Sequence, residues 1–428
     1  MPIRPHYAES FRCIGSACED TCCQGWSVPI DQAAHQRYLS LPPSPLRTQI
    51  VESIQRAPEA QDTAKPAAFA RIRMTASNQC PMLSEDRLCR IQQEYGEALL
   101  SHACATYPRI VHTIGGRQEI ALSLSCPEAA RLVLLNPRLL QPGALIADGD
   151  VEESEANGLP PGFWPIRGAV LALIANRAYL LWQRLFLLGI LCRRLDSIAS
   201  GDLKIGIPQF LRGFQASLAP GSLHGAMDAL PVDPALQLDV VLRLAGMMLH
   251  RSNVRPRFVE CIAAFTQGIG NGPGASLESL AAHFAAAHDR YYAPFFARHP
   301  HILENLLINT IFRCQFPYGR DGIMPGAAPL MSKEFALLTG QFALLKGLLI
   351  GVAGFHREGF CADHVIHTVQ AASKHFEHHP EFLSDTYALL AESQMDGARG
   401  LAILLRNEAP KTGISPTLGA PVLVRSGR

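Results

Sequence analysis

The stretch CIGSACEDTCCQGW (13–26) holds four cysteines within eleven positions: Cys13, Cys18, Cys22 and Cys23, the last two adjacent. Cys80, Cys89, Cys104 and Cys126 follow, so eight of the twelve cysteines lie in the first 126 residues. Thiolates select soft metals, and a zinc ion or an iron–sulfur cluster takes four of them. Four, three and no residues separate the first cysteines, then eight, fourteen and twenty-one the last four, so no short C-x-x-C knuckle repeats as it does in zinc ribbons. That irregularity favours a cluster, of which a 4Fe–4S group is the first expectation, but spacing alone leaves zinc open. Eight cysteines suffice for two sites, or for one site plus spare thiols. Cys22 and Cys23 are too close in sequence to serve one cluster easily, so one ligates while the other bridges elsewhere or stays free. A C-x₃-C-x₂-C cluster motif fails at its third place, because position 25 is Gly25. Buried thiols without metal are the plainer alternative, which the density of the set disfavours.

The elements that must position these sulfurs can be read in part. RIVHTIGGRQEIALSLSC (109–126) carries β-branched residues on both sides of Gly115-Gly116, the signature of a two-residue hairpin turn. With the glycines as the turn, paired residues sum to 231 and Cys126 stands opposite Ala105, next to Cys104. CPMLSEDRLC (80–89) reads as a tight loop, and RIQQEYGEALLSHA as a short helix between Cys89 and Cys104. The remaining cysteines, Cys192, Cys261, Cys314 and Cys361, are scattered singly through helical sequence, where a free thiol acts as a small hydrophobe.

The reading is therefore a mainly α protein: an irregular helical body with a small cysteine-rich, metal-binding module containing one β-hairpin. The module spans 1–135, a Pro/Gly/acid-rich linker or surface excursion 136–165, the helical domain 166–407, and a disordered tail 408–428. The spacing predicts helices over 169–195, 235–252, 277–292, 302–313 and 333–355, with two more in CADHVIHTVQAASKHFEHH and LSDTYALLAESQM. Two stretches, 169–191 and 335–355, are long enough to span a bilayer. They contain Arg177, Gln183 and Arg184, and Gln341 and Lys346, so buried helices and no membrane insertion are expected. The N-terminus has no apolar run of the secretory kind, and a net charge of +1 gives no reason to expect nucleic acid. A reducing, cytoplasmic setting follows, in which clustered cysteines are ligands rather than disulfides.

FRCIGSACEDTCCQGWSVPID (11–31), CPMLSEDRLCRIQQEYGEALLSHACATYPRI (80–110) and LSCPEAARLVL (124–134) together resemble the flagellin lysine-N-methylase family. The N-terminal part is also similar to a broader cysteine-cluster family of zinc- or iron-chelating proteins. A weaker likeness continues in HPHILENLLINTIFRCQFPYG (299–319) and VQAASKHFEHHPEFL (369–383). The resemblance implies a bacterial cytoplasmic enzyme that methylates lysine ε-amines of flagellin before export. It also implies S-adenosylmethionine as donor and an iron–sulfur cluster on the N-terminal cysteines. The alternative is a non-catalytic zinc- or iron-binding scaffold.

Methylating lysine is an in-line displacement at a sulfonium carbon by a neutral amine, whose pKa in water is near 10.4. Glu304 and Tyr107 are the candidates for catalysis. Asn305, beside Glu304 in HILENLLINT, and Arg109, beside Cys104 in ATYPR, are the candidates for holding the cofactor. No strand–GxGxxG–helix unit occurs, so an ordinary doubly wound methyltransferase domain is absent. GIGNGPG (268–274) reads as a loop, the aromatic group Tyr291, Tyr292, Phe295 and Phe296 as core, and His364, His367, His375, His378 and His379 as a solvated face.

Overall fold

The computed structural model describes residues 3–5, 7–26, 28–56, 69–139, 145–147, 159–160, 162–198, 203–218, 223–250, 254–319, 330–377 and 381–407. Most of 136–165, His378, His379 and all of 408–428 lie outside them.

KEFALLTGQFALLKGLLIGVAGF is apolar on every face, and a helix of that kind must be enclosed. It forms the central helix Met331–His356. Around it pack the helices Leu181–Asp196, Pro234–Leu249, Pro256–Gly268, Leu277–Ala287, Ala362–Phe376, Glu381–Glu392 and Ala398–Leu405. The stretch Met331–Gly359 is long and apolar enough to cross a membrane, but it is buried within the protein. Close approach of its neighbours depends on glycine. A Cβ on Gly268 would stand 1.7 Å from the Gly351 carbonyl oxygen. The first glycine of GIGNGPG is thus a helix-packing residue, while Gly270 and Gly274 turn the chain at φ of +71° and +80°.

Two helices differ from the sequence reading. The apolar run 169–195 is broken into Phe163–Ala175 and Leu181–Asp196. Between them the Asn176 side chain accepts from the Ala178 amide and the Gln183 side chain accepts from the Leu180 amide. These polar side chains satisfy a turn in the middle of apolar sequence. The 277–292 helix stays α-helical to Ala287, widens into a π-helical turn over His288–Tyr292, and continues as Ala293–Arg298.

The hairpin forms as read: Arg109–Ile114 pairs with Arg117–Leu122 in the register Arg109↔Leu122 to Ile114↔Arg117. Gly115 and Gly116 both have positive φ, as the tight turn requires. It stops at Arg109 and Leu122, however. Cys104 lies inside the short helix His102–Thr106, and Cys126 caps the helix Pro127–Leu134. The expected helix between Cys89 and Cys104 is Arg90–Tyr95, followed by a single 3₁₀ turn. Two further small sheets occur, Ile3–Pro5 with Leu145–Ala147, and a three-stranded one ordered Pro29–Ile30, Ala70–Ile72, Ile54–Arg56.

Packing divides the molecule into two cores. A small one contains Val28, Ile30, Tyr38, Ile50, Met82 and Ile91, with Cys23, Cys80, Cys89 and Cys104 on it. The large one takes in the helical body together with Tyr7, Phe11, the hairpin and Cys126. The packing boundary therefore falls inside the 1–135 segment.

Candidate functional site

The cysteines are gathered by backbone pairing rather than by regular elements. Gln24 bridges Gln79, and the Cys80 amide donates to the Cys23 carbonyl at 2.7 Å, which sets Cys23 beside Cys80. Leu83 bridges Cys89 and closes the 80–89 loop, bringing Cys89 back to Cys80. The electrostatic influence of each thiol on the next shows which of them are neighbours. Cys23 is pushed up in pKa by its hydrogen bond with Cys22 and by burial, and also by Cys80 and Cys89. Burial raises Cys104 to about 12, with Cys89 and Cys80 adding to the shift. In the other group, burial raises Cys18 with a contribution from Cys13. Burial likewise raises Cys126 to about 12, with contributions from Cys18 and Cys22. Cys104 and Cys126 thus have different neighbours, Cys80 and Cys89 for the one and Cys18 for the other, while Cys22 acts on Cys23, Cys80, Cys89, Cys104 and Cys126 alike and so lies between the two groups. Cys22 is the exception in acidity: the Cys23 thiol donates to it and the Lys374 ammonium attracts it, so it falls to about 7 against the effect of burial.

Eight soft, mutually repelling sulfurs in two neighbouring groups form a donor set whose chemistry fits a thiolate-bound metal group, whose positive charge would reverse those upward shifts. Among the described residues no three His, Cys, Asp or Glu side chains stand in ready ligand geometry. Binding would therefore require the side chains to turn inward.

The helix Ala362–Phe376 clamps this module onto the helical body. Lys374 donates to Asp20 at 2.6 Å and to the Thr21 carbonyl at 2.8 Å, while Gln370 donates to Asp20 and to the Ser125 carbonyl. Burial opposes ionisation of Asp20, but Lys374 prevails and holds its carboxyl below the ordinary range. A cavity of about 270 Å³ lies between module and body, walled by Asp20, Thr21, Gln24, Arg255, Arg257 and Lys374 among others. The Arg255 guanidinium lies flat on Gly25, where a Cβ would fall 0.3 Å from its Nη2. That Nη2 is buried without a hydrogen-bond partner. Burial lowers the Arg255 pKa despite Asp20 nearby.

Of the candidate catalytic and cofactor-holding residues, only Tyr107 adjoins this site. Its ring stacks on Trp26 at 6.0 Å, and the Trp26 indole donates to the Cys22 carbonyl. The Tyr107 hydroxyl meets Ser125 at 3.0 Å, Ser125 meets Ser123, and Ser123 donates to the buried Glu377. Arg109 donates to the carbonyls of Ala8 and Phe11 and covers the Phe11 ring, pinning the N-terminal segment to the hairpin. Asn305 donates to the carbonyls of Val133, Leu134 and Asn136, closing the end of helix Pro127–Leu134. Glu304 is fully buried and bound by Arg177 and Arg184, on a different cavity. His364 caps its own helix through the Cys361 amide and stacks on His356, and His367 accepts or donates at the Arg257 carbonyl. Asp20, Arg255, Gln370 and Lys374 were not found from the sequence. The available signals were Asp20 enclosed by cysteines in CEDTCC, and Lys374 on the apolar stripe of a helix.

A family model described as FliB lysine N-methylase C-terminal domain matches residues 167–404, more than half of the chain. The chain belongs to the lysine N-methylase family, and is therefore a methyltransferase and not a scaffold without catalysis. It is similar to a lysine-N-methylase of Salmonella typhimurium, 23% identical over 374 residues, covering 83% of this chain and 86% of that protein. A lysine-N-methylase of Salmonella choleraesuis matches equally. The flagellar biosynthetic protein FliU of Salmonella muenchen is 35% identical over 134 residues, covering 31% of this chain and 76% of its own length. No solved structure matches the chain.

Proposed function

We propose that this protein transfers methyl groups from S-adenosylmethionine to lysine ε-amines of flagellin in the cytoplasm. Its cysteines would hold an iron–sulfur cluster, with zinc as the alternative metal. The observation that carries the reading is the buried, unpartnered Nη2 of Arg255 over Gly25, in a cavity shared by the CEDTCC loop and helix Ala362–Phe376. A buried cation nitrogen without a partner calls for an anionic group, and the donor's carboxylate supplies one. A cluster held by only three of these cysteines would keep one iron open, which could bind the amine and carboxylate of the donor's methionine part.

The chemistry is one displacement. The lysine nitrogen attacks the methyl carbon, the carbon–sulfur bond breaks, S-adenosylhomocysteine leaves, and the new ammonium gives its proton to solvent. The amine must arrive neutral. Arg87, Arg255, Arg257 and Lys374 face only Glu19 and Asp20 in the cavity wall, and surplus positive charge lowers the pKa of an entering ammonium. The Trp26–Tyr107 pair beside Cys22 offers aromatic faces to the sulfonium. Tyr107 is in this reading a positioning residue, tied through Ser125 and Ser123 to Glu377.

Peptide mass spectrometry of flagellin co-expressed with the protein or with Cys22→Ala tests the reading. Methylated lysines only with the intact chain support it, and unmodified flagellin in both sinks the flagellin assignment. Brown colour with acid-labile sulfide marks iron–sulfur, whereas a colourless protein with stoichiometric zinc marks the alternative. Arg255→Gln should weaken binding of labelled S-adenosylmethionine about tenfold or more, the loss expected for a charge-assisted contact.

A further inference from the structure

A cavity of about 370 Å³, larger than the one beside the cysteines, lies in the helical body. It lies where the turn Asn176–Leu180, the π-helical turn His288–Tyr292 and the start of helix His301–Arg313 meet, in the size range of small-ligand sites. Four polar atoms of its wall are buried without a hydrogen-bond partner: Trp182 Nε1, Arg184 Nε, Tyr292 Oη and Asn407 Oδ1. Two of these are obligate donors and the phenol can donate, so the wall is donor-rich. The charges agree. Arg177 and Arg184 share the one carboxylate of Glu304, and both its oxygens are taken, so the triad keeps a positive charge. Lys346 and His288 also line it, and Leu181, Phe296, Pro300, Leu303 and Phe342 supply an apolar or aromatic surface.

The π turn is a second, independent observation. Such single turns are rare, store an irregular backbone, and recur at functional sites. This one presents His288 and Tyr292 to the cavity, with the Tyr292 ring stacked on His288 and tilted against Phe296.

We infer that this cavity binds a small organic anion, a carboxylate on an apolar or aromatic body, at a site separate from the cysteine module. The acid group meets Arg177, Arg184 Nε and Trp182 Nε1, and the apolar body lies against Phe296, Leu303 and Phe342. The inference does not depend on the methyl donor or the metal.

The test is calorimetric titration of the full-length protein with phenylacetate and octanoate, against 2-phenylethanol and 2-phenylethylamine as neutral and cationic counterparts. At least one anion is expected to bind with a Kd below about 1 mM, and the alcohol and the amine about tenfold more weakly or worse. Arg177→Gln, at a half-exposed position that leaves Arg184 on Glu304, should weaken the anion by about tenfold while leaving the alcohol unchanged. Binding should change tryptophan fluorescence in the wild type and in Arg255→Gln, but not in Trp182→Phe. Equal binding of acid and alcohol, no binding by either anion, an unchanged anion affinity in Arg177→Gln, or loss in Arg255→Gln would each overturn the inference.

Discussion

The small core around the cysteines and the large core around helix Met331–His356 hold their shapes by different means. The large core is built from helices whose apolar faces interlock, down to glycine–carbonyl contacts at Gly268 and Gly351. The small core has a dozen buried side chains, strands of two and three residues, and short helices held by single caps. Asp31 accepts from the His102 amide, Ser101 from Cys104, and Ser44 from Arg47. A core of that size supplies little stability alone. Its order depends on local hydrogen bonds and on the clamp by Gln370 and Lys374. Rigidity comes from packing in one region and from hydrogen bonds and the clamp in the other.

The largest effect should come from the packed region. Gly268→Val forces carbon into the Gly351 carbonyl and should lower stability by about 3 kcal/mol or more, read as the denaturation midpoint. A near-neutral result would mean that the central helix contacts are slack. Next is Glu304→Ala, which leaves the buried Arg184 without its carboxylate and should cost about 3 to 5 kcal/mol, whereas Arg177→Gln at the half-exposed partner should cost about 1 kcal/mol or less. Similar losses for both would show that burial does not separate the two arginines.

The cysteine region should respond to different changes. Cys18→Ala or Cys22→Ala should bleach an iron–sulfur protein and speed amide exchange within 28–105, while the central helix keeps its protection. Cys192→Ala, in the large core, should leave colour and that exchange pattern unchanged. Equal effects at all three cysteines would erase the distinction. The smallest effect is on pH. Burial lowers the pKa of His288, His356 and His364, all in the helical body, so protonation is disfavoured in the folded state. Stability from these groups is complete above their unfolded pKa of about 6.5 and declines as pH falls below it toward the lowered folded values. Melting curves between about pH 7.5 and 5 should show the helical body losing stability, and a flat profile would contradict the shift.

The legible parts of this chain are those where chemistry is local. Gly115-Gly116 specified the hairpin and its register, because a two-residue turn leaves no other pairing. The cysteine density announced a thiol cluster, and the all-round apolarity of 333–355 announced an enclosed helix. The break at Asn176 was hidden, since apolar residues on both sides continue the helical period and only the side chains of Asn176 and Gln183 stabilise the turn. Glu304 and Asn305 look alike as polar residues in an apolar helix. One faces two arginines and the other faces three carbonyls of a helix end, and no local rule distinguishes these fates.

By itself the sequence determined the mainly helical class, the hairpin, the cysteine set and the likeness to lysine N-methylases, since these rest on residue type and short-range spacing. Only the tertiary structure decided which cysteines become neighbours, that Lys374 and Gln370 reach across some 350 residues to Asp20, and that Arg255 covers Gly25. It alone made the second cavity, from a turn, a π-helical segment and a helix start far apart in the chain. Long-range pairing of charges and donors depends on which surfaces meet in the packed protein, and residue order does not record that.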